Sequence, residues 1–216
     1  MEYIIDLQGE LTFELSTQVL RELDEVEIYN TQQLDTFIEP QLYDVIRINL
    51  FSNGGILSGC MAIYDRLIEL KEQGMKIITV AHGMIYSAAF ILFLTGDIRK
   101  AGLGTSFMWH SMLLDLPQDN LSNQEDVLAH ERKMQNKLDD IVVENTKITK
   151  KELDKNKKSN VWMTYEEAKE KGIIIEPKVE EVVMTEQDAI KCMEAYGYTV
   201  VSEEEFEEMN RLKIEN

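Results

Sequence analysis

Short β-rich runs that stop at turn residues and lead straight into helical patterns recur along the first two thirds of the chain. That alternation restricts the fold more than any other feature. Tyr3–Leu7 reads as a strand ending at Gly9, and a helical stretch over about 16–26 follows, with Leu20 and Leu23 on one face. Val45–Phe51 (VIRINLF) alternates apolar and polar residues and stops at Ser52-Asn53-Gly54-Gly55. From Ser58 to Gly74 the apolar residues recur every three or four positions, so a helix is expected, with Gly74 at its C-cap. Lys76–Ala81 (KIITVA) is a buried strand expected to break at His82-Gly83, and Ser87–Leu94 is apolar all round, as a buried helix would be. Strand-like segments at Arg99–Gly104 and Ser106–Trp109 come next. A charged helical stretch over 120–150 has no Gly or Pro to break it, and a capped helix is expected over Thr164–Gly172. Such strand–turn–helix units predict an α/β fold with sheets covered by helices.

The 216 residues suffice for one domain with a full core and a small appendage. Residues 177–216 form that expected appendage. From 176 on, about twelve Asp and Glu face four Lys and Arg, and Ser202 with Glu205 predicts a capped last helix. The net charge of −18 argues against nucleic acid or an anionic membrane as partner, since both call for clustered Lys and Arg. The start MEYIIDLQGE lacks a basic region followed by an apolar one, and Ala88–Leu94 is too short to span a bilayer. Cys60 and Cys192 are far apart and read as reduced thiols, so the cytoplasm is the expected compartment. His82, His110 and His130 show no metal-binding spacing, and no metal or cofactor is expected.

Two residues carry possible chemistry. Ser87 sits between a buried strand and an apolar helix, a position that usually means only an N-cap. The same position would let the amide of Ala88, at a helix N-terminus, face a developing oxyanion. His110 ends a strand-like SFMW run about twenty residues later; taken alone it is more simply a core or surface histidine. Ser52-Asn53-Gly54-Gly55 alone is more simply a tight turn.

In order and with their flanks, these segments resemble the proteolytic subunit of the Clp protease, the ClpP family. The segments are FSNGGILSGCMAIYDRL (51–67), GMIYSAAFIL (83–92), SFMWH (106–110) and NVWMTYEEAKEKGIIIE (160–176). The resemblance runs from about Tyr3 to Glu176. It implies a ClpP/crotonase-like α/β fold of repeated strand–strand–helix units with a long handle helix at about 120–150. It also implies a serine endopeptidase that cleaves unfolded polypeptides or peptides inside a homo-oligomeric chamber of stacked rings. Ser87 would be nucleophile and His110 general base. Gly55 and Ala88 would form the oxyanion hole, and Ile56, Leu57 and Leu113 would pair with an extended substrate.

The resemblance has departures. Asn160 stands where the family has the aspartate that orients the histidine, which implies weakened activity or a non-catalytic structural subunit as the alternative. Asp115 and Asp154 are possible substitutes. Ala89 replaces a glycine, and Leu113-Leu114-Asp115 replaces a glycine-rich stretch. Leu7-Gln8-Gly9 already matches the first strand, so the segment that contacts the ATPase is not expected, which counts against docking to a Clp-type ATPase. Phage-type head-maturation proteases share this short form. The related crotonase architecture, with acyl-CoA chemistry, is a third reading that the Ser–His pair disfavours.

Overall fold

The computed structural model describes residues 1–35, 39–114, 118–156 and 159–176. Strand β1 (Glu2–Gln8) leads through Gly9 to α1 (Phe13–Leu34), and β2 (Val45–Ser52) leads to α2 (Leu57–Glu72). Strand β3 (Lys76–Tyr86) leads to the short α3 (Ala88–Phe93), followed by β4 (Ile98–Ala101) and β5 (Ser106–Trp109). The long α4 (Leu121–Asn145), α5 (Lys150–Asn156), β6 (Val161–Met163) and α6 (Tyr165–Glu170) complete the order. The result is the expected mixed α/β fold.

The apolar pattern explains the packing. Alternation in β2 turns Ile46, Ile48 and Leu50 into the core, and β1 contributes Ile5 and Leu7. Helix α1 covers them with Val19, Leu23 and Val26; it starts earlier than the periodicity suggested because Thr12 caps it, accepting from the Leu15 amide. Helix α2 buries Cys60, Ile63, Leu67 and Leu70 and ends before Gly74, which takes φ 94°. All six residues of α3 are buried, as its uniformly apolar sequence requires.

The strand order is β1-β2-β3-β5-β6, with β4 also pairing with β3. All pairs are parallel except β5 with β6. Strand β3 departs from the sequence expectation. Instead of breaking at His82-Gly83 it runs on for 11 residues: Ile78–Ala81 pair with β4, and Met84–Tyr86 pair with β5. Gly83 permits this with φ 66°, in close approach to the Phe51 ring. The first strand-like segment is also shorter than expected, since the chain turns at Gly102.

The expected helix over 120–150 is two helices. Thr146 ends α4, its hydroxyl donating to Val142 O and accepting from the Ile148 amide. Thr149 and Glu152 then start α5 by exchanging hydrogen bonds between side chain and backbone. The expected helix over Thr164–Gly172 is present as α6, with a full capping box between Thr164 and Glu167. Among the described residues no helix is long and apolar enough to cross a membrane. The acidic segment 177–216, with Cys192, lies outside the described residues.

Candidate active site

Two neighbouring parallel strands deliver the two reactive side chains. Tyr86 is in register with Met108, so the carboxyl ends of β3 and β5 lie side by side, and the next residues are Ser87 on one strand and Trp109-His110 on the other. Ligand sites in parallel sheets gather at such carboxyl ends.

Ser87 has φ 55° and ψ −125°, and it is the only non-glycine residue with positive φ among those described. Such a backbone costs on the order of 1–3 kcal/mol and persists only where packing enforces it. Here the buried α3 supplies that packing, its Phe90 and Phe93 rings lying against Phe107 of β5 at 6.5 and 5.4 Å. The Ser87 amide also donates to Met108 O at 2.9 Å. Although Ser87 occupies the N-cap position of α3, its side chain makes no capping bond, so the simpler of the two sequence readings fails. Instead its Oγ lies 2.8 Å from His110 Nε2. For the hydroxyl to donate there, Nδ1 must carry the imidazole proton.

The Ser52–Gly55 turn lies directly beside this elbow. Gly54 takes φ 90° and Gly55 φ 152°. The turn is fixed to the segment after β1: Leu11 N donates to Gly54 O at 2.8 Å, and Ile56 N to Leu11 O at 2.9 Å. A side chain at Gly55 would run into the Leu11 backbone. No hydrogen bond among the described residues uses the amide of Gly55 or of Ala88. Both residues line a cleft of about 320 Å³ together with Ser87, His110, Leu57 and Leu113.

Leu113 is 88% exposed, free to meet another chain. Ile56 differs from the expectation. It does not line the cleft, and its amide is already committed to Leu11. Ala89, at the position of the family glycine, is fully buried beneath the elbow rather than in the cleft. Glu10, Met112 and Leu138 line the cleft and carried no sequence signal, and Asn53 joins them from the Ser52–Gly55 turn. Glu10 arrives there only through the pairing of Leu11 with Gly55, a long-range contact that no local pattern announces. Cys60 donates from its thiol to Ala88 O at 3.2 Å, and burial pushes that thiol up to about 12, so it is no nucleophile.

Asn160 is exposed, and no hydrogen bond among the described residues joins it to His110. Of the two suggested substitutes, Asp115 lies outside the described residues. Asp154 is exposed on α5, and no described hydrogen bond links it to His110. The described residues thus hold a serine–histidine pair, two unused amides and an open apolar cleft. The family model of the Clp protease matches residues 2–181. No curated protein matches the chain.

Proposed function

Because the chain belongs to the Clp protease family, we propose that it is a serine endopeptidase that cleaves unfolded polypeptides or peptides inside a homo-oligomeric chamber. The observation that carries this reading is the 2.8 Å contact between Ser87 Oγ and His110 Nε2 at a strained elbow. Ser87 Oγ attacks the scissile carbonyl carbon while its proton moves to His110 Nε2. The oxyanion accepts from the amides of Gly55 and Ala88. His110 then returns the proton to the departing amine as the C–N bond breaks, leaving an acyl ester on Ser87. Water, deprotonated by His110, releases the second product and restores the serine.

An extended substrate would lie along Leu57 and Leu113, held by main-chain hydrogen bonds. In this reading α4 is the handle through which rings stack. The work belongs to the cytoplasm, where the free thiol of Cys60 fits a reducing compartment.

The test is labelling by a fluorescent fluorophosphonate. The parent should label and Ser87→Ala should not; labelling that survives the substitution would overturn the assignment. The exposure of Asn160 favours one second reading, a structural ring subunit that has lost its chemistry. Turnover of an unfolded substrate by the purified chain would dispose of that reading.

A further inference from the structure

If His110 Nε2 accepts from Ser87, its Nδ1–H needs an acceptor on the other side of the ring. Asn160 shows no bond to it. His110 borders not only the cleft but also a second, small cavity of about 10 Å³, whose polar border is Ser111, Asp139, Asn156 and Ser159. That volume suits a single water. Asn160 does not border it.

Asp139, on α4, is only 2% exposed, which is rare for a carboxylate. Its Oδ1 accepts from Gln135 Nε2 at 2.7 Å and its Oδ2 from Lys150 Nζ at 3.2 Å, so each oxygen keeps a lone pair. Gln135 also accepts from the Met112 amide at 2.7 Å, tying α4 to the segment just after His110. The ion pair alone does not account for the burial. Lys150 is partly exposed and also reaches the exposed Asp140 at 3.5 Å, so it could be satisfied at the surface without a buried acid.

We propose that Asp139 is the positioning residue of His110, acting through one water in this cavity. The proposal rests on the reading of Ser87 and His110 given above. The water accepts from Nδ1–H and donates to the Asp139 carboxylate, which holds the tautomer that leaves Nε2 free and stabilises the imidazolium that forms. A carboxylate from α4 thereby does what the family assigns to the position of Asn160.

The experiment follows fluorophosphonate labelling of the full chain and separates the maximal labelling rate from probe affinity. Asp139→Asn should lower the maximal rate by about 100-fold or more, with affinity and melting temperature close to the parent. Lys150→Met should stay within about threefold of the parent, and Asn160→Asp should gain less than about threefold. An undiminished rate in Asp139→Asn would overturn the proposal. So would a loss in Lys150→Met as large as that in Asp139→Asn, which would mean a structural role, or a gain of about tenfold in Asn160→Asp. If Asp139→Asn does not fold, a loss of about tenfold or more in Lys150→Met or a gain of about tenfold in Asn160→Asp overturns the proposal. A parent that does not label at all removes the underlying reading as well, whereas a labelled parent with a silent Ser87→Ala isolates the question to Asp139.

Discussion

A Cβ added at Gly54 would stand 2.8 Å from the Cβ of Ser87 and 2.8 Å from the carbonyl oxygen of Tyr86. The end of β2 therefore supports the elbow from below, and only a glycine fits between them. Gly54→Ala combines this collision with a left-handed backbone, which costs about 1–2 kcal/mol for an L side chain. The nearest way to relieve it is to move Ser87 away from His110, so fluorophosphonate labelling should fall by about tenfold or more. Gly9 supplies the control: its φ is also 90°, but an added Cβ would meet nothing within 4 Å. Gly9→Ala should lower the melting temperature slightly and leave labelling intact. Equal labelling by Gly54→Ala and the parent would contradict the support.

Much of this arrangement was legible in the sequence, for local reasons. The alternation of VIRINLF, the uniform apolarity of Ser87–Leu94 and the Thr164–Glu167 capping box each report the environment of their own segment, and each element formed where expected. What was not legible depends on distant contacts. Gly83 reads as a breaker, yet β3 continues through it with φ 66°, the Phe51 ring packing where a side chain would be. Thr146 is a local exception: it ends a helix with neither Gly nor Pro, through the bonds its hydroxyl makes to Val142 O and the Ile148 amide, a stop that threonine does not usually signal. Asp139 reads as one more charge on a polar helix, and its burial emerges only when α4 packs beside the segment after His110. Arg99 stands in a strand-like segment with no local sign that its charge is buried, yet it is 2% exposed.

Glu152 ties the start of α5 to the end of α6. Its carboxylate accepts from the Thr149 amide at 2.8 Å, from the Thr149 hydroxyl at 2.8 Å and from Lys171 Nζ at 3.2 Å. These contacts, the Thr149 amide foremost, hold the carboxyl at about 2 against an ordinary 4.5. A folded-state value below the unfolded one means stability that is complete above about pH 4.5 and lost as pH falls towards 2. Glu152→Gln should therefore melt below the parent at pH 6, with the gap closing as pH drops through that window. Melting curves at several pH values read this directly, and a gap that stays constant down to pH 2 would show that Glu152 acts by packing rather than charge.

Arg99 joins three chain segments from the inside. Its Nη1 donates to Leu94 O at 3.3 Å, at the end of α3, and its Nη2 donates to Asn145 O at 2.7 Å and to Gly172 O at 2.9 Å. Burial pulls the guanidinium down to about 10, so it remains charged at neutral pH and Nη1 and Nη2 keep their donors on the three carbonyls. Arg99→Met would fill much of the volume but leave three carbonyls without their donor. At roughly 1 kcal/mol for each carbonyl the loss is about 3 kcal/mol, or about 6–12 °C in melting temperature for a chain of this size. Arg99→Lys should recover only part of this, because a single ammonium lacks the fork that reaches Leu94 O from Nη1 while Nη2 serves Asn145 O and Gly172 O. Both variants should still label with fluorophosphonate at low temperature, since none of these contacts involves Ser87 or His110. Calorimetry beside labelling separates the two effects: a lower melting point with intact labelling is the expected result, and unchanged melting in Arg99→Met would show that the three carbonyls find other donors.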